Sequence, residues 1–122
     1  MKKILIVEDD KVVALINKRM VEKIGHRAYC CVSTGKEAIQ TTKKTNPDVI
    51  LMDIQLEGKM NGIEAMKEIR KFSTTPVIFI SGNISNETHE AIQKTGNATF
   101  LAKPVEIMQL QEALGKLVCS GV

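Results

Sequence analysis

The feature that most constrains this chain is an alternation. Five short apolar runs of strand length are each followed by a stretch whose apolar residues recur at helical spacing. The runs are Ile4-Leu5-Ile6-Val7, Arg27–Val32, Val49-Ile50-Leu51-Met52, Val77-Ile78-Phe79-Ile80 and Phe100-Leu101-Ala102. Strands joined through helices run parallel, because a parallel crossover needs about a dozen residues and a helix supplies them. Helices then cover both faces of the sheet, and its central strands read as unbroken apolar runs. Val49–Met52 and Val77–Ile80 read that way and belong at the centre.

Right-handed crossovers leave few topologies. The expected fold is α/β, a flavodoxin-like (βα)5 doubly wound parallel sheet with strand order 2-1-3-4-5. Local signals mark the elements. Val12, Val13, Ile16, Met20 and Ile24 form one face of a first helix, and Gly25 fits its C-terminal cap. Thr34-Gly35-Lys36-Glu37 reads as a capping box opening the second. Pro47 and Pro76 stand just ahead of strands three and four, where proline keeps the preceding residue extended. Asn61 caps a third helix with apolar positions Ile63, Met66, Ile69 and Phe72. Ser85 caps a fourth with few apolar positions, Ala91 and Ile92 among them, so that helix should be thinly packed. The last helix carries Ile107, Leu110, Leu114, Leu117 and Val118. At 122 residues a single domain over 1–122 is expected, with no output domain after the last helix.

Composition excludes several functions. The net charge is +3, and Lys11, Lys18, Arg19, Lys23 and Arg27 make a solvated helix face rather than a run of like charge. Aromatics at 3% and no Trp speak against a stacking platform for nucleic acid. Cys30, Cys31 and Cys119 lack metal-ligand spacing, and neighbours in a strand point to opposite faces. Met1-Lys2-Lys3 leads into no signal-like segment, and no apolar stretch is long enough to span a bilayer. A cytoplasmic protein with reduced thiols, no membrane insertion and no direct nucleic-acid contact is expected.

The chemistry collects at the strand ends. Glu8-Asp9-Asp10 follow strand one, Asp53 ends strand three, Ser81 ends strand four, and Lys103-Pro104 follow strand five. In such sheets ligands bind beyond the carboxyl ends of the strands, at the switch point between strands one and three. Clustered carboxylates repel, and a hard cation such as Mg²⁺ (or Mn²⁺) resolves this with oxygen ligands. Asp9 and Asp53 suit direct coordination, Glu8 a metal-bound water, and the Gln55 carbonyl a further position. Asp10 suits the cap of the following helix. A carboxylate can also attack phosphorus, which gives Asp53 a second role as nucleophile. Lys103 offers counter-charge, and Ser81 a hydroxyl beside Gly82. Gln55 and Asn83, two residues beyond Asp53 and Ser81, lie where they could orient or obstruct hydrolytic water.

Five segments taken together, Ile4-Leu5-Ile6-Val7-Glu8-Asp9-Asp10, Leu51-Met52-Asp53-Ile54, Asn61-Gly62-Ile63-Glu64, Val77-Ile78-Phe79-Ile80-Ser81-Gly82 and Phe100-Leu101-Ala102-Lys103-Pro104, carry a resemblance. Over its whole length the chain resembles the response-regulator receiver domains of two-component signalling, in the single-domain form of the chemotaxis regulators. The resemblance implies that Asp53 is the phospho-acceptor and that Glu8 and Asp9 are the acidic metal pair. It implies that Ser81 and Lys103 contact the phosphoryl group, that Phe100 changes rotamer on activation, and that Lys103–Pro104 is cis. It implies a switch rather than a turnover enzyme, catalysing only its own phosphorylation and dephosphorylation. The implied partners are a sensor histidine kinase or phosphotransfer protein and a downstream effector, with a monomer or phosphorylation-dependent dimer. The surface expected to change is helix four, strand five and helix five.

The chain also departs from the family pattern. Glu8 replaces the commoner aspartate, the loop after Asp53 is one residue longer with Glu57 in place of proline, and Phe100 lacks a tyrosine hydroxyl. Three rival readings follow from the same residues. A phosphatase of the haloacid-dehalogenase type would need an acid where Gln55 stands. A flavodoxin-like electron carrier would need a phosphate loop where three acids stand. A structural metal module would hold the cation without phosphoryl chemistry.

Overall fold

The computed structural model describes residues 1–120. The side chains of Cys30 and of residues 118–120 are outside the described set, as are the expected places of Val118, Cys30 and Cys119. The elements run β1 (Lys3–Val7), α1 (Lys11–Ile24), β2 (Arg27–Val32), α2 (Gly35–Thr45), β3 (Val49–Asp53), α3 (Gly62–Ile69), β4 (Val77–Ser81), α4 (Asn86–Thr95), β5 (Ala98–Ala102) and α5 (Ile107–Ser120). All pairings are parallel, and the sheet order is β2-β1-β3-β4-β5. This is the expected doubly wound fold.

Alternation along each strand divides the core in two. Leu5, Val7, Ile50, Met52, Val77 and Phe79 meet Ala38 of α2, Ile63 and Met66 of α3, and Ile92 of α4. Ile4, Ile6, Val49, Leu51, Ile78 and Ile80 meet Val21 of α1 and Leu110, Leu114 and Leu117 of α5. Every residue of β3 and β4 is buried, which is why these strands show no polar alternation. Polar side chains are left the ends.

Caps largely follow the local signals. Asp10 accepts from the Val12 and Val13 amides at the start of α1, and Gly25 closes it in the left-handed region at φ 109°. Asn61 and Glu64 form a complete capping box on α3. The Thr34 hydroxyl accepts from the Glu37 amide, but Glu37 turns its carboxylate to the Ser33 amide and to both hydroxyls. The expected box on α2 is therefore half formed.

Two helix faces differ from expectation. On α1 the inward residues are Ala14, Asn17 and Val21, while Val12 is 67% and Ile16 52% exposed. Apolar residues cover more than one face of α1, so periodicity does not choose among them. Contact with the sheet does, taking the small Ala14 and the middle-sized Val21. Phe72 lies past the end of α3, 42% exposed, with the Lys43 ammonium 5.1 Å above its ring. Helix α3 stops at Ile69, so Phe72 never joins its buried stripe.

Helix α4 buries only Ile92, as its sparse apolar pattern implies. Its far end is held instead by Arg70, whose guanidinium donates to the carbonyls of Thr95 at 3.1 Å and Gly96 at 2.8 Å. Burial lowers the Arg70 pKa from its ordinary value.

The start of α3 sits against the end of β3. Gly62 donates to the Ile54 carbonyl at 2.8 Å. A Cβ on Gly62 would collide with the Asp53 carbonyl oxygen, and would lie 2.9 Å from Met52 Cγ and 3.0 Å from Ile54 Cα. Because these neighbours are mostly backbone, Gly62→Ala should destabilise the protein by about 1–3 kcal/mol in urea denaturation. Gly58→Ala, whose Cβ would meet nothing but whose φ is +94°, should cost about 1 kcal/mol through backbone strain alone.

Candidate functional site

At the C-terminal edge of β1 and β3, three carboxylates converge. Glu8, Asp9 and Asp53 each offer an oxygen, and these oxygens all lie within 4.8 Å of one another. Glu8 is 5% and Asp53 3% exposed, because the edge lies below the loops that follow β1 and β3. Lys103, just past β5, reaches across it. Its ammonium donates to Asp53 Oδ2 at 3.0 Å and lies 3.4 Å from Glu8 Oε1. Its backbone amide extends the sheet by donating to the Ser81 carbonyl at 2.9 Å, and the Lys103–Pro104 peptide is cis.

The remaining acceptors are partly assigned. Asp53 Oδ1 accepts the Gln55 amide at 3.1 Å, and Glu8 Oε2 accepts the Asp10 amide at 3.1 Å. Glu8 Oε1 is sealed from solvent and has no hydrogen bond. The nearby Lys103 ammonium attracts it by charge but does not satisfy it geometrically. An orphaned, buried oxygen inside an all-oxygen cluster fits a hard divalent cation or its bound water. Asp9, Asp53 and the Gln55 carbonyl are the remaining residues able to hold such an ion.

Burial and the neighbouring Asp53 carboxylate push the Glu8 pKa up to about 7. For Lys103, burial works to lower the pKa, but the hydrogen bond and charge of Asp53, helped by Glu8, outweigh it and raise it.

Ser81, last in β4, is buried, and its hydroxyl donates to the Asn83 carbonyl at 3.3 Å. Gln55 and Asn83 are both exposed. Phe100 is not at a strand end but within β5, paired in register with Phe79. It is half-buried, and the exposed His89 of α4 meets it edge-on, ring centroids 5.8 Å apart at 68°. The long loop after Asp53 is pinned: Glu57 forms a parallel bridge with Thr34, and Met60 packs against Gly35. A cavity of about 470 Å³ beside the carboxylates is lined by Glu8, Asp9, Lys11, Lys18, Ser33 and Glu57 among others.

Strand ends alone bring Glu8, Asp9, Asp53 and Lys103 together. Two neighbours escaped the sequence reading. His89 gave no signal, since its contact with Phe100 depends on how α4 lies over β5. Asn17 gave none either, since the apolar residues of α1 do not mark which of its faces turns inward.

The sequence matches the response regulator receiver domain family over residues 4–115. The chain belongs to that family. It is 33% identical to the chemotaxis protein CheY of Thermotoga maritima, covering 95% of this chain and 97% of that one. It is 28% identical to the sensory/regulatory protein RpfC of Xanthomonas campestris over 97% of this chain, but spans only 17% of that relative's length. Among solved structures, the receiver domain of a modulated diguanylate cyclase from Desulfovibrio desulfuricans superposes with a TM-score of 0.89 at 26% identity. That match covers 98% of this chain and 95% of the other. The family is thus built both as short single receivers and as segments of larger proteins. Among the described residues of this receiver, no helix is long and apolar enough to cross a membrane.

A carboxyl group whose pKa is raised on folding binds its proton more tightly in the native state. Stability of the metal-free receiver should therefore fall as pH rises from the ordinary value of 4.5 through about 7. Urea titrations in chelator at about pH 5 and about pH 8 should show a loss on the order of 2–3 kcal/mol. Glu8→Gln should remove most of that loss, and calorimetry should show weaker Mg²⁺ binding by the variant.

Proposed function

We propose that this receiver is a phosphorylation-controlled switch in which Asp53 accepts a phosphoryl group from a phosphohistidine donor, a sensor histidine kinase or phosphotransfer protein. The observation that carries this reading is the Lys103 ammonium at 3.0 Å from a 3%-exposed Asp53 carboxylate, with Glu8 and Asp9 alongside. Asp53 attacks phosphorus, the P–N bond breaks and the imidazole leaves. Asp9, Asp53 and the Gln55 carbonyl, with Glu8 through a water, would hold Mg²⁺ (or Mn²⁺), which would supply charge neutralisation for the phosphoryl oxygens. Lys103 adds a fixed positive charge at the same edge. The protein catalyses only its own phosphorylation and dephosphorylation. Gln55 and Asn83, both exposed at the rim, set the phosphate lifetime by orienting or excluding water.

The switch begins at Ser81. Its hydroxyl leaves the Asn83 carbonyl and donates to the phosphoryl group, vacating space into which Phe100 turns away from His89. Because α4 buries little, the α4–β5–α5 surface changes at low cost. A downstream effector then reads it, or the phosphoryl group passes onward. The protein acts as a monomer or as a phosphorylation-dependent dimer. The donor is expected on the other side: Val12, Leu15 and Ile16 of α1 are 67%, 48% and 52% exposed. They form an apolar strip close to the phosphorylation edge.

Intact mass after incubation with Mg²⁺ and phosphoramidate tests the reading. A gain of one phosphoryl group is expected in the parent, and none in Asp53→Asn or without Mg²⁺. No gain in the parent would sink it. Phosphorylated protein should show altered amide shifts from Ser81 through α5, and Gln55→Ala and Asn83→Ala should change the measured dephosphorylation rate severalfold.

A further inference from the structure

The edge of the sheet opposite the carboxylates carries the other sign of charge. Strands start there, and α1, α2 and α3 end there. Lys3 and Arg27 open β1 and β2 in register, with Lys2 and Lys23 close by in sequence, and Lys43 and Lys44 lie in the last turn of α2. None of these six cations forms an ion pair among the described residues. Backbone contacts tie them into one patch. The Lys3 ammonium donates to the Thr45 carbonyl at 3.3 Å, at the end of α2, and the Arg27 amide donates to the Lys2 carbonyl at 2.9 Å. Nearby acids offset little of this charge. Asp48 turns its carboxylate to the Lys3 amide at 2.7 Å, Glu68 is paired with Lys71 at 2.8 Å, and Glu22 is a single charge next to Lys23. Burial, and then the positive charge around it, that of Lys2 included, lowers the His26 pKa from its ordinary value. Cations suit the negative ends of helices, which accounts for Lys23, Lys43 and Lys44. It does not account for Lys2, Lys3 and Arg27, or for two exposed rings at the same edge. Tyr29 is 43% and Phe72 42% exposed.

We propose that this edge is a docking surface for an anionic lipid bilayer, on which the receiver rests without inserting a helix. Unpaired lysines held at one end of a domain are drawn to acidic headgroups, and each adds to the attraction. The two rings supply the second component. Aromatic side chains settle at the level of the headgroups, where an apolar body and a polar surrounding are both met. Nucleic acid is the less suited occupant. Five of the six cations are lysines, which lack the planar fork that arginine offers to phosphates and bases. Both rings also have a face already taken by a cation. Lys3 and Arg27 lie 5.6 and 5.9 Å from the Tyr29 centroid, and Lys43 lies 5.1 Å from that of Phe72, so stacking of bases is hindered. Charge polarity along the strands also fixes the orientation. The surface that attracts this edge repels the one holding Glu8, Asp9 and Asp53, so the carboxylates point away from the bilayer.

Co-sedimentation with vesicles tests the surface. One set is phosphatidylcholine alone, and the other contains about 30% phosphatidylglycerol. At about 0.05 M salt the parent should partition about tenfold or more strongly onto the anionic vesicles, and about 0.5 M salt should remove most of that difference. Reversing two charges at this edge, Lys23→Glu with Lys44→Glu, should lower the partition by about tenfold or more. The same change at the opposite edge, Lys36→Glu with Lys59→Glu, should lower it by less than about threefold. Equal partition onto neutral and anionic vesicles overturns the proposal, and so does failure to bind either. Equal losses in the two double variants overturn it as well, because they would make net charge rather than this edge the cause. A short duplex DNA, followed by anisotropy, should bind more weakly than the anionic vesicles. Tighter binding of the duplex would give the edge to nucleic acid and overturn the bilayer as its occupant. The comparison of vesicles in the parent stands whether or not the variants fold. No step involves phosphoryl transfer, so vesicle binding and the labelling of Asp53 by phosphoramidate succeed or fail separately.

Discussion

A parallel sheet covered on both faces leaves polar side chains only the strand ends to occupy. In this protein that constraint concentrates nearly all the chemistry on one edge. The strands β1, β3 and β4 supply apolar side chains alternately to two cores, and none of them can carry charge without breaking one. Glu8, Asp53, Ser81 and Lys103 stand at or just past strand ends. Parallel pairing in the order β2-β1-β3-β4-β5 is what turns four distant sequence positions into neighbours. An antiparallel arrangement of the same strands would send half of them to the opposite edge.

The edge is electrostatically incomplete in the protein alone. Three carboxylates meet one ammonium, and the two most buried carboxylates share it. Burial first, and then the neighbouring Asp53 carboxylate, raises the pKa of Glu8, and one Glu8 oxygen is left unpartnered. The cost is moderated by backbone amides of Asp10 and Gln55, which donate to Glu8 and Asp53. Positive charge brought from outside would complete the site. The same deficit that weakens this edge at neutral pH would favour a cation placed there, since a buried acid pair is costly to leave without a partner.

Stability is distributed unevenly around this edge. Helix α3 is locked to β3 by Gly62, and the loop between them is pinned on the start of α2 through Glu57 and Met60. Those contacts hold Asp53 still. Across the sheet, α4 buries one side chain and hangs at its C-terminal end from Arg70. Phe100 beneath it is half-buried and touches a solvent-exposed histidine. Asp53 is thus held by many contacts while α4, across the sheet, is held by few, and segments of low local stability are the ones that move first.

The fold class, strand order, most caps and the identity of the acidic cluster were legible in the sequence. Continuous apolar strands, capping residues and strand-end acids are local patterns with few structural solutions. The errors are equally instructive. On α1, eight apolar residues spread round the helix left the inward face undetermined until the sheet selected Ala14, Asn17 and Val21. Phe72 continued the spacing of α3, yet the helix ended before it. Glu37 had three competing donors, and a capping box is only one way to satisfy them. His89 reached Phe100 through a packing angle that no local pattern encodes. Sequence by itself determined which residues are strand, helix and chemistry, because those depend on neighbours within a few positions. Tertiary structure alone decided how far each carboxylate is buried, which oxygen Lys103 satisfies and which polar group is left unpaired, because those depend on distances between chain segments about fifty residues apart.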